Sequence, residues 1–352
     1  MRESQPESSP ESLPESLRAW ARSHRWETLL AGILVVTIVA NSALSPHYLG
    51  VGNIVNLFWL SIEKIIVAVI MAFVIINGEI DLSVASVMGF SAAVLATLHD
   101  STGVPFVLAI VIALAAGALA GLVQGLVVAK LKLPSLVVTL AGLIGFRGAA
   151  RVLLEDRSIG EFPGWFDRLG QRALVGPFPL AIIIFLVGLL VAWFVLDRTA
   201  FGRKVYVVGN NAEAARYSGI AVERVKIQLF VMSGLASAFA GVLFAARLGS
   251  VRGSLAEFFE LDIITMVLLG GVSIFGGSGT MLGVALAMFT VLNIRNGLGL
   301  ANVDGIIQTG VVGLLLIGSV LAPNLVGKLQ GRLPGWREPT TAADGARAIQ
   351  SS

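Results

Sequence analysis

Ten long apolar stretches occupy the middle of this chain, near 27–45, 53–76, 84–98, 104–129, 134–153, 177–196, 224–246, 261–274, 281–297 and 305–321. A helix needs roughly 20 mostly apolar residues to cross about 30 Å of hydrocarbon. Lipid offers a backbone no hydrogen bonds, so a spanning segment is either a helix or a strand of a closed barrel. These runs are too long and too uniformly apolar for barrel strands, which alternate. The chain therefore reads as an all-α polytopic membrane protein with about ten transmembrane helices. Its charged content of 13% fits, being about half that of a soluble domain.

The flanks differ in kind. Residues 1–26 carry a Pro-Glu-Ser triplet at Pro6, Pro10 and Pro14, a composition that buries too little apolar area to fold. Leu17, Trp20 and Trp26 among Arg18, Arg22 and Arg25 suggest a short interfacial helix leading into the first span. The expected organisation is a disordered or interfacial segment at 1–26, a transmembrane domain at 27–325, and a disordered tail at 326–352. With the N-terminus inside, sixteen Lys and Arg fall on the cytoplasmic side and five on the other. The positive-inside rule then places both termini in the cytoplasm.

The one heavily charged internal interruption is the loop 197–226. Arg203 and Lys204 follow its start, and Ala212-Glu213-Ala214-Ala215-Arg216 is a run of strong helix formers after Asn211, with Gly219 in a C-cap position. A short charged helix between two spans suits insertion into a cleft on a cytoplasmic partner; it equally suits an amphipathic loop on anionic lipid. Asn77-Gly78-Glu79-Ile80-Asp81-Leu82-Ser83 is a polar break between apolar runs. It reads either as a plain cytoplasmic turn capping the next helix or as an unwound segment lining a translocation path.

Several chemistries are excluded. There is no cysteine, hence no thiolate catalysis, disulfide or zinc-thiolate site. The three histidines lack metal spacing, and no metal site is expected. Gly271 and Gly276 have the outer spacing of a phosphate loop, but Gly277-Ser278 stands where Lys-Ser/Thr is required. Thr280 replaces the last glycine of a hydrolase elbow. The glycines suit a tight turn between helices instead. Gly117, Gly121 and Gly125 make a smooth face for close helix approach. Arg147 and Arg151 share a helix face and either snorkel to the interface or face the pore or an external partner. Arg295 is expected to pair with Glu257, Glu260 or Asp262. Glu63 and Lys64 point about 100° apart on a helix and need separate partners.

Four stretches carry a resemblance: Phe73 to Val84; Pro134 to Leu140 with Arg147-Gly148; Thr199 to Gly219; and Leu261-Asp262 through Gly279. Together they make the chain resemble, over roughly 50–325, the permease subunits of bacterial ABC importers of the ribose/xylose-type sugar family, related to branched-chain amino-acid permeases. Glu79 stands where such permeases usually have a second glycine, and Gln124 where they have asparagine. The resemblance implies a multi-pass protein of the bacterial inner membrane that performs no covalent chemistry and binds no cofactor, ATP residing on a partner. It also implies a second permease copy or paralogue, cytoplasmic ABC ATPase subunits and a periplasmic solute-binding protein. Membrane lipid is a further partner and nucleic acid is not. Asn211 to Gly219 would form the coupling helix inserting into the ATPase. The solute is expected to be a monosaccharide or a sugar-like molecule, with a branched-chain amino acid or autoinducer-type solute as the alternative. An ion-coupled secondary transporter, with Glu63 as its one mid-membrane carboxylate, is the rival from another class. Candidate path-lining residues are Glu63, Asn77, Glu79, Asp81, Gln124 and Asn293.

Overall fold

The computed structural model describes residues 24–171, 173–175 and 178–330. Most of the expected disordered segments at 1–26 and 326–352 lies outside these residues. Helix α1 (Arg25–Leu44) is followed by α2 (Val51–Trp59) and α3 (Ile62–Ile76), which bend by 55° against each other. Next come α4 (Val84–Ser101), α5 (Phe106–Lys130), α6 (Ser135–Leu154) and the short α7 (Gly164–Gln171). After α8 (Leu180–Arg198) the chain turns by 68° into α9 (Ala200–Asn210), then forms α10 (Ala212–Tyr217) and the long α11 (Val222–Leu248). Helices α12 (Phe259–Leu269), α13 (Met281–Leu300) and α14 (Gly305–Gln330) complete the order. Among the described residues strand content is confined to small ladders such as Ile159–Gly160 against Ser250–Val251.

Six of the described helices are long and apolar enough to cross a membrane, or eight when each bent pair counts as one span. The architecture is thus all-α and polytopic. The expected eighth span, 261–274, is corrected: α12 has 11 residues and covers about 16 Å, half of what the hydrocarbon requires. It stops because Gly270-Gly271 turns the chain, Gly271 at φ +83°. The last helix runs past the expected end at 321 to Gln330, into the stretch expected to be disordered.

Helix α3 sits at the centre. From Ile62 to Ile76 only Ile66 and Ile70 are even half-buried; every other residue is buried. Apolarity on all faces is what a helix needs when α8, α11, α12 and α13 surround it. Beside it, α5 and α11 meet along the predicted glycine face. A Cβ on Gly121 would lie 2.1 Å from the Phe230 carbonyl oxygen, and one on Gly234 would lie 2.2 Å from that of Gly117. Lipid drives no hydrophobic association between helices, so backbone contact this close supplies the dispersion energy that pairs them.

Candidate functional site

Three segments converge at the Ile76 end of α3: the α3–α4 break, the α9–α10 junction and the α12–α13 loop. The break opens because Gly78 adopts φ +81°, a conformation glycine enters without cost. Glu79 N–H then reaches back to the Val74 carbonyl at 3.1 Å. The remaining polar groups are absorbed by neighbours. Ile80 N–H donates to Ser135 Oγ at 3.2 Å, and Thr139 Oγ1 donates to the Ile80 carbonyl at 3.2 Å. Asp81, which is buried, accepts at Oδ1 from the Ser83 hydroxyl at 2.6 Å and the Ser83 N–H at 2.9 Å. Its Oδ2 accepts from Ser233 of α11 at 2.7 Å. Gln124 Nε2 of α5 donates to Ser83 Oγ at 2.9 Å. Glu79 forms an ion pair with Lys226, also on α11. The segment is a largely buried break, knitted to its neighbours except at Asn77 Oδ1, which has no hydrogen-bond partner among the described residues.

The α9–α10 junction packs onto that break. Thr199 caps α9 by accepting from Gly202 N–H at 3.3 Å, and Asn211 caps α10 by accepting from Glu213 and Ala214 N–H at 3.0 and 2.9 Å. Capping removes orphan donors at each start and lets a helix of only six residues persist. Ile220 N–H returns to the Ala215 carbonyl at 3.0 Å with Gly219 at φ +79°, which closes the C-terminus. Ala215 is buried against Val208 and Val222, whereas Arg203, Lys204, Glu213, Ala214 and Tyr217 point to solvent. Arg216 lays two N–H groups on Glu223 Oε1, at 3.1 and 2.6 Å. Glu223 and Lys226 are three apart on α11 and therefore share a face. Helix α11 thus carries, on one face, the partner of Arg216 on α10 and the partner of Glu79 in the break.

The α12–α13 loop closes the cluster. Gly277 N–H donates to the Ile76 carbonyl at 2.8 Å, and the Tyr206 hydroxyl of α9 donates to the Gly279 carbonyl at 2.8 Å. A Cβ on Gly209 would fall 1.9 Å from the Ile76 carbonyl oxygen, so the contact between α9 and α3 admits no side chain there.

Residues 53–320 match the family described as branched-chain amino acid transport system / permease component. The chain belongs to this permease family. It is 38% identical over 302 residues to the autoinducer 2 import system permease protein LsrD of Escherichia coli strain K12, which spans 83% of this chain and 90% of that protein. The LsrD proteins of Shigella flexneri and Escherichia coli O157:H7 match to the same extent. No solved structure matches.

The permease does not bring all its candidate residues together. Asn77, Glu79, Asp81 and Gln124 gather at the break, with Asn77 Nδ2 donating to the Val205 carbonyl at 3.3 Å. Glu63 lies at the opposite end of α3, bound at both oxygens by Arg247 at 2.7 and 3.2 Å. Beside it Lys64 donates to Asp262 Oδ2 at 2.8 Å, and Arg295 takes the other oxygen of Asp262. The expected separate partners for Glu63 and Lys64 and the pairing of Arg295 are found. Asn293 belongs to a third place: its side chain meets the Tyr48 hydroxyl, and its carbonyl accepts from Asn41 of α1 at 2.8 Å. Arg147 donates to the Leu255 carbonyl at 2.5 Å and Arg151 pairs with Glu257 at 3.4 Å, so both hold the α11–α12 loop.

Sequence reasoning missed α9 as a helix and missed Ser233, Ser135 and Thr139 as partners of the break. For α9 a signal existed: Thr199 followed by Val205 and Val208 on one face. For the hydroxyls none did, because serine and threonine are common in membrane helices and carry no mark of their partner.

Proposed function

We propose that this permease is the transmembrane subunit of an ATP-driven, binding-protein-dependent importer in the bacterial inner membrane. It works beside a second copy or a paralogue, with ATP bound and hydrolysed on cytoplasmic partner subunits and solute delivered by a periplasmic binding protein. Both termini and the coupling surface face the cytoplasm, in keeping with the distribution of Lys and Arg. The observation that carries the proposal is a pair of ion pairs, Arg216–Glu223 from α10 and Lys226–Glu79 into the α3–α4 break, whose α11 members stand three residues apart on one helix face. A push on α10 is thereby delivered to an unwound segment at the end of the most buried helix. Unlike a continuous helix, such a break can repack, and a partner whose contact differs between states biases that repacking.

The path runs beside the break, where Asn77, Glu79, Asp81 and Gln124 supply polar groups. Glu63 is neutralised by Arg247, which removes the mid-membrane carboxylate that an ion-coupled transporter would use. The solute is a small, sugar-like molecule: the relatives are named for autoinducer 2 import, and a monosaccharide is of the same polar kind. Proteoliposomes holding permease, ATPase subunits and binding protein should accumulate such a solute only with ATP and all components. Uptake by the permease alone under a proton gradient would overturn the reading.

A further inference from the structure

The α12–α13 loop holds a large aromatic side chain in the open. Phe275 is 87% exposed at the tip of this loop, although every other part of the tip is pinned. Phe275 N–H donates to Ser273 Oγ at 3.2 Å, Gly276 N–H to the Ser273 carbonyl at 2.9 Å, and Ser273 N–H to the Ser278 carbonyl at 3.0 Å. Gly276 at φ +83° and Gly277 at φ +74° keep the tip in a conformation that side-chain-bearing residues rarely adopt. The tip is also tied to the rest of the cluster. Gly277 bonds to the Ile76 carbonyl and packs on Asn210, the last residue of α9, one residue before the cap of α10. The backbone of the tip is thereby held with Phe275 on its outer side. On α10 itself Tyr217 is 94% exposed. Two aromatic side chains thus stand unburied on structures joined through Asn210, with the charged Arg203, Lys204 and Glu213 exposed nearby.

We propose that Phe275 is a second docking point for the ATP-binding subunit, so that the partner grips the α12–α13 loop together with the coupling helix. This rests on the reading of α10 as the ATPase contact. Rigid aromatic anchors lose little conformational entropy on binding and dominate interface energies. The arrangement also has a mechanical consequence. A partner holding both α10 and Phe275 touches the elements on either side of the Ile76 carbonyl, and its motion would load the α3–α4 break from two directions. A lipid-interface role for Phe275 is the competing use of an exposed aromatic; the fixation of the tip to α9–α10, whose neighbouring side chains are charged, favours a protein partner.

The absence of native cysteine makes the test direct. Phe275→Cys, Tyr217→Cys and, as a remote control, Phe258→Cys are placed one at a time in the full-length permease. Inside-out vesicles with and without the co-expressed ATP-binding subunit are treated with a membrane-impermeant maleimide. Phe275→Cys and Tyr217→Cys should both react without the subunit and be slowed about tenfold with it, while the control, on the face enclosed in such vesicles, should stay unlabelled until detergent opens them. Protection at Tyr217→Cys with continued reactivity at Phe275→Cys would overturn this inference and leave the coupling-helix reading standing. Protection at neither would overturn both. A Phe275→Cys that never reacts would place the side chain in lipid and also overturn it. Phe275→Ala, at a position too exposed to affect folding, should reduce recovery of the ATP-binding subunit by roughly tenfold or more, while Phe275→Leu retains most of it.

Discussion

The two ends of α3 are built from different forces. At the Ile62 end, Glu63 and Lys64 are buried charges, each satisfied by a cation or carboxylate from a distant helix. Arg247 adds aromatic contacts, its guanidinium 4.7 Å from the Phe244 ring and 5.5 Å from Trp59, and Lys64 sits 4.4 Å from Phe259. At the Ile76 end the chain unwinds, and hydroxyls, amides and one part-exposed ion pair take over. Buried ion pairs are costly to separate because each half is left desolvated. Single hydrogen bonds, including those that hold the Asp81 carboxylate, exchange partners at lower cost. One end of the helix is anchored and the other is free to rearrange, which is what a transporter needs if a push at α10 is to move one region without unfolding the whole.

The contrast can be broken most severely at the anchored end. Arg247→Met should lower stability by about 3–5 kcal/mol, since it strands Glu63 in an apolar site. Glu63→Leu combined with Arg247→Met should recover most of the loss, and melting temperatures in detergent would show it. A double variant no more stable than the single one would remove the idea that the pair acts as an anchor. Next in size, Gly209→Ala forces a Cβ against the Ile76 carbonyl, and overpacking of this kind costs about 1–3 kcal/mol. Here the expected readout is ATP-driven uptake, lost well beyond any fall in membrane-inserted protein.

A smaller change sharpens the other end. Glu79→Gln should destabilise by about 1.5 kcal/mol at most, yet reduce the solute moved per ATP hydrolysed, because the relay from α10 ends at this residue. Glu79→Lys with Lys226→Glu should restore the ratio; a ratio unchanged in every variant would show that the pair transmits nothing. The least effect is expected from Arg216→Ala. Its pair with Glu223 is largely exposed, worth under about 1 kcal/mol and weakened further by salt. Thermal stability should barely move, and the wild type's coupling should fall toward that of the variant as ionic strength rises.

How much of this was legible beforehand depended on the range of the interaction. The apolar runs revealed nearly every helix, and Gly117, Gly121 and Gly125 announced the face that α5 presents to α11. The helix-forming run after Asn211 located α10 to within two residues. The run 261–274 was already short for a span, but the place where α12 ends was hidden because Gly270 to Ile274 are apolar enough to extend it on composition; the turn at Gly271 is a backbone decision. The break at 77–83 was visible as a polar interruption, but whether water or protein satisfied it was not.

Local physics therefore settled the class of molecule: hydrocarbon tolerates only a self-bonded backbone, so the pattern of apolar residues dictated a helical membrane protein with a charged loop outside the bilayer. Pairing was settled elsewhere. Glu63 meets Arg247 across 184 residues and Asp81 meets Ser233 across 152, separations at which neighbouring sequence carries no information about the partner. A buried charge or carboxyl group demands satisfaction, and only the assembled helices determine which distant side chain arrives to provide it.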